Sequence, residues 1–116
     1  MARVLIADDS DIVRLVLRDM LEKAGHEVIA EAENGEEAIV RFAESRPDVS
    51  VIDVNMPVLD GFAAADSLRQ VRPNARLVLA SVYVTPSRAA RARAIGARLL
   101  AKPFTTEELL GEIVAN

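Results

Sequence analysis

The chain has no cysteine and no tryptophan, and only one histidine and one tyrosine. Without thiols there are no disulfides and no thiolate metal sites. A lone histidine excludes a multi-histidine metal centre and argues against histidine-based catalysis. Aromatics make up 3% of residues while hydrophobics reach 51%, so a core must be built from Val, Ile, Leu and Ala. Positive charge is outnumbered: 14 Lys and Arg against 18 Asp and Glu give a net charge of −4 over 116 residues. That balance argues against a general nucleic-acid binder, whose surface is normally basic. Long hydrophobic runs are missing too, so no segment approaches a membrane span. The first apolar run, Val4-Leu5-Ile6-Ala7, is too short for a signal peptide and is followed at once by acids. A soluble, cytoplasmic, one-domain protein over residues 1–116 is the expectation, with nothing left over for an output domain.

Short apolar runs alternate with helical patterns along the whole length. Arg3 to Ala7 reads as a buried strand, and one of Asp8, Asp9, Ser10 and Asp11 should cap the helix that follows. In that helix Val13, Val16, Leu17, Met20 and Leu21 share a face, and Gly25 fits just past its end. Glu27 to Ala32 is a more polar strand, expected nearer an edge. Asn34 caps a second helix with Ala38, Ile39, Phe42 and Ala43 inward and Glu37 placed to complete a capping box, until Arg46-Pro47 stops it. Asp48 to Asp53 reads as a third strand, before Asp60-Gly61 opens a helix with Phe62, Ala65, Leu68 and Val71 inward. Arg76 to Ala80 is the fourth strand, ending at Ser81, and Thr85-Pro86 starts a fourth helix running to Ile95. Arg98 to Ala101 is the fifth strand, ending at Lys102-Pro103; Thr105 and Glu108 form a capping box for a last helix that buries Leu109, Ile113 and Val114. Such alternation predicts an α/β fold with a parallel sheet covered on both faces.

Ligands of open parallel sheets bind outside the carboxyl ends of the strands. Strand one ends on Asp8 and Asp9, strand three on Asp53, strand four on Ser81 and strand five on Lys102. A strand order of 2-1-3-4-5, the doubly wound flavodoxin-like arrangement, puts strand two on an edge and makes the four reactive ends neighbours. Three close carboxylates repel one another, and a hard divalent cation resolves this. Oxygen-only ligands point to Mg²⁺, and Mn²⁺ suits them as well. Lys102 adds a positive charge and Ser81 a hydroxyl. Charge neutralisation and positioning are most of what phosphoryl transfer needs, and an Asp can be the covalent acceptor. Each residue alone reads more blandly, as a solvated cap, a turn or a loop hydroxyl. Their coincidence at one set of strand ends favours Asp53 as a phosphoryl acceptor.

With Asp8-Asp9, the run Asp53-Val54-Asn55-Met56-Pro57-Val58-Leu59-Asp60-Gly61, Ser81 and Lys102-Pro103-Phe104, the chain resembles the receiver domain of bacterial two-component response regulators over essentially its whole length. The stand-alone, chemotaxis-type regulator is the form expected. The resemblance implies that Asp53 is phosphorylated by a sensor histidine kinase or a histidine phosphotransfer protein. It implies that Asp9 and Asp53 bind Mg²⁺ directly together with the backbone carbonyl of Asn55, while Asp8 acts largely through water. Lys102 would contact the phosphoryl group, Ser81 would move toward it as the switch, and the Lys102-Pro103 bond would be cis. Output would pass through the fourth helix, fifth strand and fifth helix to a partner the sequence does not name, in a monomer or a phosphorylation-dependent dimer, without direct nucleic-acid or membrane binding.

Three features depart from the family pattern: Val82, Leu99 and the segment Gly96-Ala97-Arg98-Leu99, which is about one residue shorter than is common in the family. Val82 stands where a small residue is usual and is expected to crowd the phosphoryl site. Leu99 stands where an aromatic often couples to the switch hydroxyl. Tyr83, two residues after Ser81, is a candidate to replace that aromatic or to shield the phosphoryl group from water. Arg88, Arg91, Arg93 and Arg98 make the fourth-helix region basic, which reads either as a solvated face or as a partner surface. His26 is expected to be a surface turn residue. Three competing readings remain from the sequence: a phosphorylation-independent interaction module of the same fold, a receiver cut from a DNA-binding regulator, and a haloacid-dehalogenase-type phosphatase. The last wants a second Asp two residues after the nucleophile, where this chain has Asn55.

Overall fold

Parallel pairing joins β1 (Arg3–Ala7), β2 (Glu27–Ala32), β3 (Val49–Asp53), β4 (Arg76–Ser81) and β5 (Arg98–Ala101) into one sheet of order β2-β1-β3-β4-β5. This is the expected doubly wound, flavodoxin-like α/β fold, in a computed structural model that describes residues 1–114. Helices α1 (Asp11–Lys23), α2 (Gly35–Ser45), α3 (Gly61–Val71), α4 (Pro86–Ile95) and α5 (Thr106–Val114) alternate with the strands. The polar strand β2 lies at an edge, as its composition suggests.

Strand side chains alternate between the two faces of the sheet. Val4, Ile6, Val49, Val51 and Val78 meet Leu17 and Leu21 of α1 and Leu109 and Ile113 of α5. Leu5, Ala7, Ile52, Leu77 and Leu79 meet Phe42, Phe62 and Leu68 on α2 and α3, and Ala92 on α4. The helix starts are capped by short side chains: Ser10 accepts from Val13 N–H, Asn34 from Glu37 N–H, Asp60 from Ala63 N–H and Thr85 from Arg88 N–H. Thr105 and Glu108 close a reciprocal capping box, with hydrogen bonds of 2.9 and 3.1 Å. Asn34 makes only its own half of one; Glu37 does not reach back to it among the described residues.

Four inward assignments are corrected. Val71, Val114, Ala43 and Val16 are exposed. A helix turns through 3.6 residues, so steps of three drift around its axis. After Leu68 the inward position is therefore Arg72, whose guanidinium lies 4.7 Å from the centre of the Phe42 ring. Ala43, Val114 and Val16 each neighbour a residue that takes the buried position: Phe42, Ile113 and Leu17. Arg14 and Arg18 of α1 both bond Glu31 of β2. His26 accepts a 2.9 Å hydrogen bond from the Ala2 N–H, a structural role close to the surface.

Ser50 sits fully buried in the middle of β3, and its hydroxyl has no hydrogen-bond partner among the described residues. An unmet buried hydroxyl costs more than its removal. Ser50→Ala is therefore expected to leave stability unchanged or raise it by up to about 1 kcal/mol, read from the urea midpoint at constant m-value. A clear loss would mean that the hydroxyl has a partner.

Candidate functional site

The sheet order brings the ends of β1, β3, β4 and β5 together on one rim. Asp8 follows β1, Asp53 closes β3, Ser81 closes β4 and Lys102 follows β5. Asp53 is 8% exposed and Asp8 3%, while Asp9 is open to solvent. Oxygens of all three carboxylates lie within 4.8 Å of one another. Lys102 Nζ donates to Asp53 Oδ1 at 2.9 Å and to Asp8 Oδ2 at 3.1 Å. Asp8 Oδ1 accepts from the Ser10 N–H at 2.9 Å, which fixes the orientation of that carboxylate. The Lys102-Pro103 bond is cis.

The backbone behind Asp53 is held closely. Val54 N–H donates to Ala80 C=O, and Gly61 N–H donates to Val54 C=O, at 2.9 Å each. A Cβ on Gly61 would come within 2.3 Å of the Asp53 carbonyl oxygen, so no other residue fits there without moving the end of β3. In the same loop Val58 takes φ 70°, a left-handed conformation rare for a β-branched residue. Strain of this kind persists only where its surroundings over-determine it.

Three carboxylates face one ammonium, so the cluster carries excess negative charge. Burial pushes the Asp53 carboxyl above its ordinary value; Lys102 pulls it back by hydrogen bond and charge, and Asp8 and Asp9 push it up again. Burial works to lower the Lys102 ammonium, but the bonds and charges of Asp53 and Asp8 together raise it above its ordinary value. Lys102 therefore stays a cation at neutral pH. Asp53 Oδ2 and the Asp9 carboxylate make no hydrogen bond among the described residues. Uncommitted carboxylate oxygens in a cluster of excess negative charge fit a hard divalent cation such as Mg²⁺.

Ser81 is fully buried. Its hydroxyl donates to the Tyr83 carbonyl at 2.8 Å and accepts from the Tyr83 N–H at 3.1 Å. It also accepts from Arg88 Nη1 of α4 at 2.6 Å, a contact the sequence reading misses. In the sequence its one signal is the cluster of arginines on α4, which fits a solvated face or a partner surface equally well. Tyr83 is 63% exposed, and Asn55 is exposed too. Val82 is exposed and lines an apolar groove of about 440 Å³ between α1 and Pro103-Phe104. Leu99 is half-buried and packs against the core on the α2–α4 side.

A family model described as the response regulator receiver domain matches residues 4–114. The chain is 37% identical over 112 residues to the chemotaxis protein CheY of Bacillus subtilis, covering 96% of this chain and 93% of that protein. Among solved structures, the Vibrio cholerae chemotaxis protein CheY4 superposes with a TM-score of 0.90 at 34% identity, covering 97% and 96% of the two chains. A chain of the CheX–CheY–BeF₃–Mg complex of Borrelia burgdorferi superposes with a TM-score of 0.92 at 25% identity, covering 96% and 85%.

Proposed function

The chain belongs to the response regulator receiver domain family, and on that premise we propose that it is a phosphorylatable signalling switch of a two-component system, with residues 1–116 as one receiver domain. The observation that carries this is the buried Asp53 carboxylate, bonded to Lys102 and set beside Asp8 and Asp9. A sensor histidine kinase or a histidine phosphotransfer protein is the donor. An Asp53 carboxylate oxygen attacks phosphorus; the new O–P bond forms as the P–N bond to the donor histidine breaks, and the departing imidazole takes up a proton from water. Lys102, an ammonium throughout, turns from Asp53 toward a phosphoryl oxygen. Ser81 moves to donate to another. Water attack later returns Asp53 and inorganic phosphate, so the chain works as a cytoplasmic signal carrier and has no catalytic activity beyond its own phosphorylation and dephosphorylation.

Asp8, Asp9, Asp53 and the backbone carbonyl of Asn55 are the groups that would hold a Mg²⁺, or a Mn²⁺ in its place. The ion would supply positive charge against the phosphoryl oxygens. The BeF₃ and Mg in the Borrelia burgdorferi complex support this reading. Phosphorylation changes a population balance at the Ser81 loop and α4, and the α4-β5-α5 surface presents that change to an output partner.

Incubation with acetyl phosphate or phosphoramidate and Mg²⁺ tests the reading. A hydroxylamine-labile phosphoryl adduct on Asp53 is expected. Its absence would leave the phosphorylation-independent interaction module as the better account. A shielding role for Tyr83 predicts that phosphorylated Tyr83→Ala decays faster than wild type by release of inorganic phosphate, and equal decay removes that role.

A further inference from the structure

The hydrogen-bonding capacity of the Ser81 hydroxyl is full. A hydroxyl has one hydrogen to donate and two lone pairs to accept with. Its hydrogen goes to the Tyr83 carbonyl, and its lone pairs take the Tyr83 N–H and Arg88 Nη1. The Arg88 bond is the charge-assisted one, at 2.6 Å, and such bonds are about twice as strong as neutral ones. It is also the only one of the three that leaves the local loop, tying β4 to the first turn of α4. Arg88 has no carboxylate partner among the described residues. Its guanidinium carbon instead lies 6.0 Å from the Phe62 ring centre and 5.9 Å from that of Tyr83. Arg91, one turn on, lies 4.5 Å from Phe62. Phe62 is buried at the start of α3, so Arg88 links the Ser81 hydroxyl, the Tyr83 ring, α4 and the core. Leu99, the neighbouring candidate for such a link, has no polar atom to offer.

We propose that Arg88 is a latch: a positioning residue that holds the Ser81 hydroxyl in its resting place and through which α4 reads that hydroxyl's departure. This rests on the phosphoryl-acceptor reading of Asp53. To donate to a phosphoryl group, Ser81 must give up the Tyr83 carbonyl, and to travel toward Asp53 it must give up Arg88. The freed guanidinium then leaves the first turn of α4 without its tether to β4, and the Tyr83 ring loses its cationic neighbour. The signal thus leaves the site through an arginine on α4 instead of an aromatic on β5.

The test is calorimetric titration of the whole chain with beryllofluoride, a phosphoryl mimic, at saturating Mg²⁺. Arg88→Met keeps the stem and removes the donor. It should bind beryllofluoride about three- to tenfold more tightly than wild type, the equilibrium equivalent of one net hydrogen bond. Arg88→Lys, which restores a charged donor, should return toward wild-type affinity. In a Ser81→Ala background Arg88→Met should change nothing, because the latch has nothing to hold. Equal or weaker binding by Arg88→Met, or an undiminished effect without the Ser81 hydroxyl, overturns the latch while leaving the acceptor reading intact. A wild-type protein that binds no beryllofluoride at all would instead sink the acceptor reading, and the latch with it.

Discussion

Asp53→Asn is expected to form no phosphoryl adduct with acetyl phosphate under conditions that label the wild type fully, and at the same time to raise the thermal midpoint of the Mg²⁺-free protein. The two effects share one cause. The amide is almost the same shape as the carboxylate but is not a nucleophile toward phosphorus, so transfer stops. It also carries no charge. The folded protein holds the Asp53 carboxyl above its ordinary value, first through burial and then through Asp8 and Asp9, even with Lys102 opposing. A folded pKa above the unfolded one means that the ionised form is disfavoured by folding; the native state is therefore easier to reach when that charge is removed. Mg²⁺ binding should weaken by about tenfold or more, since even groups behind a metal ligand are worth that much. A residue that served only the fold would behave oppositely, losing stability without a selective loss of labelling. Full labelling of Asp53→Asn, measured by intact mass, would move the acceptor to another carboxylate.

That combination explains why the site could be read from the sequence while its coupling could not. An acid closing an apolar strand is a local anomaly, and Asp8, Asp53 and Lys102 each stand at a change from apolar run to polar loop. The topology then follows from five alternations, and the topology makes neighbours of residues as far apart as Asp8 and Lys102. Caps were legible for the same reason, since a short polar side chain before an amphipathic run has one good use. The Ser81–Arg88 bond carries no such mark. It spans a loop and one helical turn, and arginines on a weakly amphipathic helix look like solvent residues. Arg72 and Arg14 carry as little mark of their partners. Their long side chains lie along apolar or acidic neighbours from other elements, a use that hydrophobic periodicity does not register. Helix periodicity likewise placed Val71 one notch off, because a three-residue spacing was extended beyond the point where the turn had carried it outward.

Lys102→Ala should lower the stability of the Mg²⁺-free protein by about 3 kcal/mol at neutral pH, and the loss should shrink at low pH and when Mg²⁺ is added. Lys102 is the one cation bonded to both Asp8 and Asp53 among the described residues. Removing it strands two buried carboxylates beside each other, the situation in which breaking an ion pair is most costly. The carboxylates have an escape, which is to bind a proton. Asp53 is already held above its ordinary value, and without Lys102 it rises further. For an acid raised in the folded state, the unfavourable charge appears only as pH climbs from the unfolded pKa through the folded one. The deficit of the variant relative to wild type should thus be small below the ordinary carboxylate range and grow toward pH 7. Added Mg²⁺ stabilises the variant by mass action and neutralises the same oxygens, so it should recover much of the loss. Function should not recover with it. Phosphorylated Lys102→Ala lacks the cation that draws the phosphoryl oxygens into place, so the Ser81 loop should stay in its resting packing. The single tyrosine and the absence of tryptophan make this visible: fluorescence of Tyr83 should change on phosphorylation of the wild type and stay flat in the variant. A pH-independent deficit would show that Lys102 contributes packing and not charge, and a normal fluorescence response would remove its part in coupling the phosphoryl group to the switch.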